Sequence, residues 1–522
     1  MARITPEFRE AMNWAHSWLG VVLGAALFAV FWTGSLTVFD KELDRWMIPE
    51  LRIEQSSQPI SYDRLIAEMP VEAGTSDYVN FVAPAKRTPV IDFFYRDEEG
   101  TFHDFKYDPA SGEELSLTDS HGASGFFYPF HHTFTIYWMD LGMWIVGFAA
   151  LAMLILLVSG LFIHRKIIAE FFVFRPHRKA RRATLDLHNA SSLIGLPFYF
   201  LITFSGLLTF AFYYLPWSVA EPYDGDTEAF FAEAMGDYDP GERTGRPAGL
   251  ASVDAMKAEA ERLWSEEEGV SVEANIVRIL NHGDETAVVY FRNTFPDDRV
   301  VLSEYVAVFD GASGELVQNF SRPPINEVSG WIEGAHFMHV DHWPMRWLYF
   351  LGGLGGCVMI ATGMLFWLRS RERKMDRNAL GFRAVEALTI GSVTGIILAT
   401  GAFLIANCLL PEDVSSGGVG RADVEVRMFF AVWIAALVHA AIVRHRAWAH
   451  QCWGIAALAI LAAILNWATS DAVPVVELFN GDTAVGAIDL ALIVTATLAV
   501  RSAMHFRSAK HSALKPQALP AE

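Results

Sequence analysis

The chain has 522 residues, of which 52% are hydrophobic and 19% charged, and its formal net charge is −20. That balance is too apolar for an ordinary soluble multidomain enzyme. The acidic excess also argues against nucleic acid as a partner, because phosphate binding needs a basic face. The apolar residues are bunched into eight runs, about 17–39, 142–163, 190–215, 346–368, 384–410, 427–443, 452–468 and 484–500. Runs of roughly 20 residues are long enough to cross a hydrocarbon core of about 30 Å.

In chain order, residues 1–40 read as the first transmembrane helix. It follows Arg3 and Arg9 and lacks a small-x-small cleavage site, which predicts a retained anchor and not a removed signal peptide. Residues 41–131 read as an acid-rich outer domain. It has a helix-like stretch from Pro59 to Glu68 and a strand–turn–strand signal at Tyr107-Asp108-Pro109-Ala110-Ser111-Gly112-Glu113. Residues 132–215 hold helices two and three with a basic loop between them. Residues 216–345 read as a second outer domain, with a helix-like stretch from Ser252 to Trp264 and a matching signal at Phe309-Asp310-Gly311-Ala312-Ser313-Gly314-Glu315. Residues 346–372 are helix four, 384–500 an appended four-helix bundle, and 501–522 a tail. The expected fold class is a mainly α membrane protein of about eight transmembrane helices, with two α+β domains inserted after helices one and three.

Orientation follows from Lys and Arg in the short loops. Arg165, Lys166, Arg175, Arg178, Lys179, Arg181 and Arg182 crowd one loop, and Arg369, Arg371, Arg373, Lys374, Arg377 and Arg383 another. Arg444 and Arg446 mark a third, and Arg501, Arg507, Lys510 and Lys515 the tail. Every second loop is basic, which predicts a multi-pass protein of a bacterial inner membrane with both termini in the cytoplasm and both acidic domains in the periplasm. The three cysteines, Cys357, Cys408 and Cys452, lie in or beside apolar runs. They form neither a metal-ligand spacing nor a disulfide framework.

The first four helices read as two copies of one unit. His16 is followed 18 residues later by Gly34 in Thr33-Gly34-Ser35-Leu36, and His188 is followed 18 residues later by Gly206 in Ser205-Gly206-Leu207-Leu208. Ser159-Gly160-Leu161-Phe162 ends helix two and Thr362-Gly363-Met364-Leu365 ends helix four. A parallel repeat predicts a pseudo-two-fold axis along the membrane normal.

Ionisable residues in or beside membrane helices are costly and often functional. Of the seventeen histidines, His16 and His188 open helices one and three. His131-His132 precede helix two, and His336, His339 and His342 precede helix four. Aligning Trp144 with Trp347 brings His132 within one residue of His336. Two imidazoles on facing helices are the natural axial pair for a b-type haem. Two such pairs would stack one haem near each membrane face. Other readings stay open at this point: interfacial polar residues, a metal ion at the outer clusters, and His164 as a reserve ligand whose repeat counterpart is Trp367. Glycines such as Gly20, Gly24, Gly142 and Gly147 would let a porphyrin approach, and close helix packing explains them equally well. No Cys-x-x-Cys-His for covalent haem, Gly-rich dinucleotide fingerprint, P-loop, nucleophile elbow or His-Glu-x-x-His is present. An electron donor would therefore be a separate cytoplasmic protein, a flavin or a quinol.

The His-x-x-Leu-Gly pattern with Thr/Ser-Gly near the helix end, seen over His16–Leu36 and His188–Leu208, resembles the PepSY-associated transmembrane family. His336 to Gly352, with Pro344 and Arg346 inside, is similar to the start of that family's fourth helix. The Tyr107–Glu113 and Phe309–Glu315 segments resemble the strand–turn ends of PepSY domains. The resemblance covers about residues 10–372 and leaves 384–500 without a family role. It implies an iron-regulated ferric-siderophore reductase that passes electrons through about two b haems to a ferric chelate in the periplasm and frees Fe(II). By that resemblance His16 and His188 would ligate the inner haem, and His132 and His336 the outer one. His131 and His339 are the nearest substitutes.

Two rival readings belong to other classes. PepSY-like domains also resemble protease-inhibitory modules, which suits a non-enzymatic envelope regulator; such a protein has no use for histidines paired at matched depth. A transporter would carry charge at mid-membrane depth, and the first four runs are nearly free of it.

Overall fold

The computed structural model describes residues 5–56, 58–164, 175, 180–294, 299–302, 305–321, 324–372, 374–415, 418–470 and 483–513. Arg165, Lys166, Arg178, Lys179, Arg373 and Lys515 of the basic segments lie outside the described residues. The chain divides into two compact units. One comprises Met1–Pro49, Thr118–Phe204 and Arg346–Glu522, and the other Glu50–Leu117 and Ser205–Met345.

Among the described residues of the chain, five helical segments are long and apolar enough to cross a membrane: Trp138–Ile163, Trp343–Arg371, Leu380–Leu409, Arg421–Ser470 and Val485–Arg507. Two bent pairs, Pro6–Val22 with Gly24–Thr37 and Ala180–Ile194 with Leu196–Thr209, bring the total to as many as seven. Eight were expected from the apolar runs. The runs at 427–443 and 452–468 instead fall within one 50-residue segment, Arg421–Ser470. It is interrupted at Arg444–Arg446, where Arg444 takes a φ of 61°.

The two bent pairs bend alike, by 63° and 64°. The breaks fall at Leu23 and Gly195, the same offset that separates His16 from His188. Pro197 explains the second bend, because it has no N–H to continue the helical ladder across Gly195. At the first bend, a Cβ on Gly24 would stand 3.0 Å from Met364 Sδ, so the glycine lets the Met364 side chain pack close there.

Helices of the 384–500 block belong to the same unit as the first bent pair and are tied by polar bonds to it and to segments that follow it. Trp46 Nε1 donates to Asp489 Oδ1 (2.8 Å), Asn466 donates to the Trp46 carbonyl (2.7 Å), and Trp32 Nε1 donates to Thr400 Oγ1 (3.0 Å). Buried Arg421 and Glu425 pair at 2.5 Å; Arg421 also donates to the Asp119 carbonyl, and Glu425 accepts from Ser120 Oγ. Polar groups this deep must be satisfied internally, so each bond fixes a particular helix register.

The second unit corrects the expectation of two separate α+β modules. Its strands are β1 (Tyr78–Val82), β2 (Ile91–Arg96), β3 (Phe102–Tyr107), β4 (Ile276–Leu280), β5 (Val288–Asn293), β6 (Tyr305–Asp310) and β7 (Leu316–Ser321). They form one antiparallel sheet in the order β3-β2-β1-β4-β5-β6-β7. The join is β1 against β4, with Asn80 opposite Arg278. One apolar core runs across that join and includes Phe81 and Phe93 from the first half and Val277, Phe291 and Phe309 from the second. The Asp-x-x-x-Gly signals are turns as expected: Asp108 and Asp310 accept backbone N–H bonds, and Gly112 and Gly314 take φ of 76° and 74°. A full strand follows only the second turn; after the first, pairing shrinks to a single bridge between Tyr107 and Glu114.

Helices Tyr62–Glu68 and Val253–Glu268 cover the core and cap each other. Asp254 accepts from Ser61 Oγ (2.6 Å) and Tyr62 N (2.7 Å), while Asp63 accepts from Ser252 Oγ and Val253 N (both 2.6 Å). Each carboxylate thus satisfies donors at the start of the other helix.

Candidate functional site

The Ser/Thr-Gly pairs and the histidines noted in the sequence turn out to be two halves of one local arrangement. A Cβ built on Gly160 would lie 3.4 Å from His16 Cε1, and one on Gly363 3.0 Å from His188 Cε1. In the same way Gly34 meets His131 Cε1 at 2.6 Å and Gly206 meets His336 Cε1 at 2.7 Å. Each ring lies on a bare stretch of helix, and a Cβ would crowd it at Gly34, Gly206 and Gly363 but only touch it at Gly160.

The ring's Nδ1 is then hydrogen-bonded beside that glycine. His16 Nδ1 bonds the Leu156 carbonyl (3.1 Å) and Ser159 Oγ (3.0 Å). His188 Nδ1 bonds the Met359 carbonyl (2.8 Å), and His131 Nδ1 the Val30 carbonyl (2.9 Å). In these three the carbonyl belongs to the residue four before the glycine. His336 Nδ1 pairs with Ser205 Oγ at 3.1 Å. Thr33 and Thr362, next to their glycines, donate to carbonyls of their own helix. A carbonyl only accepts, so in His16, His188 and His131 the proton sits on Nδ1, and in His16 and His188 the Nε2 lone pair is available to a metal.

His16 and His188 line one cavity of about 250 Å³. Their ring centres are 6.3 Å apart and the rings are inclined at 75°. Among the described residues neither Nε2 is hydrogen-bonded. A metal–imidazole bond is about 2 Å and the nitrogen about 1 Å from its ring centre, so one metal would reach both rings at a centre-to-centre distance of up to roughly 6 Å. The observed spacing suits one metal held between the two rings. No cluster of three or more His, Cys, Asp or Glu able to hold a metal occurs among the described residues, so a bare ion with a full protein ligand set does not fit. Two imidazoles are the donor set that a haem, which brings four ligands of its own, would need from the chain. The cavity also exceeds the roughly 150 Å³ that admits benzene, and its wall is thinned at Gly20, Gly24, Gly160 and Gly363.

Of the adjacent pair His131 and His132, the structure gives this arrangement to His131, whereas His132 Nδ1 turns back to the Tyr128 carbonyl of its own helix (2.8 Å). The connector between the histidine helix and the spanning helix explains why a sequence alignment on Trp144 and Trp347 points to His132. It covers seven residues, 134–140, in the first copy and five, 338–342, in the second. In the longer connector Phe134, Thr135, Met139 and Asp140 all take positive φ. His164 lines the cavity with its Nε2 3.0 Å from Asn189 Nδ2, and His342 Nδ1 accepts from Met345 N. His439 and His450 lie 3.3 Å apart across the helix pair Arg421–Val443 and Ala447–Ser470, outside the cavity. Sequence reasoning missed Asn13 and Asn189 as cavity residues; the available signal was their closeness to His16 and His188.

The PepSY-associated TM region matches residues 13–370, which include all four glycine-backed histidines. The chain belongs to that family. Uncharacterized protein PA4219 of Pseudomonas aeruginosa is 26% identical over 386 residues, covering 69% of this chain and 90% of that protein. This member of the PepSY-associated TM region family is a multi-pass membrane protein by its candidate spans, and helices of the 384–500 block lie beyond the matched region.

Proposed function

We propose that this protein carries electrons across a bacterial inner membrane and reduces a ferric siderophore on the periplasmic side, releasing Fe(II) for uptake. The observation that carries the reading is the His16–His188 pair, with its 6.3 Å spacing, available Nε2 atoms and shared cavity. His16 and His188 hold the inner b haem. By the sequence repeat alone, a second b haem would draw on His336 and on His132 or its neighbour His131, of which His131 has the glycine seat and carbonyl bond found at the inner pair. When bound, haem supplies reversible one-electron Fe(III)/Fe(II) chemistry.

The chain's own residues do the rest. The Leu156 and Met359 carbonyls fix ring orientation and make the imidazoles stronger donors, which favours the oxidised iron and lowers the potential. Gly160 and Gly363 let the rings approach. The apolar wall keeps water from the metal. The electron donor is a cytoplasmic protein or a quinol, and the acidic periplasmic unit favours weakly charged or cationic chelates.

The test is an absorption spectrum of detergent-purified protein from haem-replete cells, oxidised and then dithionite-reduced, with haem quantified against protein. The expected result is a reduced α-band of bis-histidine b haem at about two haems per chain. A colourless protein overturns the reading and turns attention to the envelope-regulator alternative.

A further inference from the structure

The two repeats agree in the histidines and glycines of the inner cavity but differ at its rim. Applying the offset between His16 and His188, Asn13 corresponds to Leu185 and Ser17 to Asn189. Applying the offset between Gly160 and Gly363, His164 corresponds to Trp367. All six of these residues line the cavity. Machinery that must be symmetric is kept, and the rim is made unlike on its two sides.

The rim is also where the polarity lies. Asn13 precedes His16 on its helix, and His164 and Arg371 follow Gly160 and Gly363, so all three are at the basic-loop end of the cavity. Asn189 joins them through its bond to His164. Leu27, Leu157 and Ile360 line the opposite end. The Arg371 guanidinium stacks on Trp367, 4.3 Å from the ring centre. It makes no ion pair with a carboxylate among the described residues. A half-buried cation stacked on an aromatic ring, at the polar end of an otherwise apolar cavity, suits an anionic group presented in a plane.

We infer that Arg371, with Asn13, His164 and Asn189, receives the carboxylates of the tetrapyrrole held by His16 and His188. Haem is itself amphipathic, with two propionates on one edge. The rim therefore holds that edge toward the basic-loop end, and its unlike sides select one of the two faces. Arg371 acts as a positioning and tuning residue. Its charge favours the reduced iron, which carries one positive charge fewer, and so raises the midpoint potential. This inference rests on the haem reading of the cavity.

The experiment measures tetrapyrrole affinity and the midpoint potential of the inner haem in full-length protein and in Arg371→Gln and Arg371→Lys, each reconstituted from the apo form with haem or with haem dimethyl ester. With haem, Arg371→Gln keeps the bis-histidine spectrum and its midpoint falls, and Arg371→Lys returns most of the shift. The dimethyl ester, which offers Arg371 no carboxylate, binds the wild type more weakly than haem does and binds the wild type and Arg371→Gln about equally. Loss of haem from Arg371→Gln alone, with retention in Arg371→Lys, also supports the role. An unchanged midpoint in Arg371→Gln, an ester that binds the wild type as tightly as haem does, or loss of haem from both variants overturns it. A wild-type protein that takes up neither tetrapyrrole overturns the haem reading itself.

Discussion

His16 and His188, 172 residues apart in the chain, meet with their ring centres 6.3 Å apart and their planes inclined at 75°. Each is aimed by a carbonyl of a different helix, Leu156 for one and Met359 for the other. The pair therefore depends on four helical segments at once. His16→Ala or His188→Ala should remove the inner haem, leaving about half of the wild-type haem per chain with the outer bis-histidine spectrum intact. Haem quantified by pyridine haemochrome against protein checks this. A variant with the full complement of low-spin haem sinks the assignment.

The glycines under the rings grade the next prediction. A Cβ at Gly160 makes ordinary contact with His16 (3.4 Å), whereas one at Gly34 falls 2.6 Å from His131. Gly160→Ala should therefore keep its haem and stability close to wild type. Gly34→Ala must push the His131 ring off its seat and break the bond to the Val30 carbonyl, at a cost of roughly 1–3 kcal/mol for overpacking. Thermal unfolding and haem content of the two variants, measured side by side, decide it. Equal behaviour of the pair would contradict the geometry.

What could be read from the sequence followed local spacing. The offset that relates His16 to His188 also relates Gly34 to Gly206 and Leu23 to Gly195, because both copies break at the equivalent position and neither carries an insertion between the histidine and the glycine. The glycine-seated histidine of the 131–132 pair was blurred by one residue because His131 and His336 are separated from their spanning helices by connectors of unequal length. Counting spans from apolar runs misses bends, since a run continues through Gly195 and Pro197 while the helix does not. The single sheet was out of reach: β1 and β4 are joined by backbone hydrogen bonds between segments almost 200 residues apart, and strand patterning does not say which edge meets which. The cavity rim was equally hidden, because Asn13, Asn189 and Arg371 come from three helices and carry no shared motif.

The crossed caps of the second unit give a stability prediction free of any cofactor. Asp254 accepts donors from Ser61 and Tyr62, and Asp63 accepts donors from Ser252 and Val253. Asp254→Ala and Asp63→Ala should each cost about 1 kcal/mol, within the usual range for a lost cap. Hydrogen exchange on the full-length protein should show faster exchange at the Tyr62 amide in Asp254→Ala and at the Val253 amide in Asp63→Ala. Faster exchange confined to the mutated helix, with the partner helix unchanged, would contradict the crossed arrangement.

Asp284 sets the acid limit of the same unit. Burial alone would raise its carboxyl, but bonds from the Thr286 N–H and hydroxyl and from the Thr244 and Gly245 N–H groups more than reverse that and hold it well below the usual carboxylate range. A folded-state value below the unfolded one means that the folded unit binds fewer protons. Its contribution is therefore complete above the ordinary value of 3.8 and is lost as pH falls from there through the depressed folded value. Stability of the sheet should thus decline as pH drops below about 4. In Asp284→Asn the unit should be less stable at neutral pH and part of the acid-induced decline should vanish, because the amide cannot take up the proton and its N–H₂ faces donors. Hydrogen exchange of the 244–286 segment between pH 3 and 7, corrected for intrinsic rates, reads both effects. An Asn variant that loses stability in acid as steeply as the wild type would show that the protonation responsible lies elsewhere.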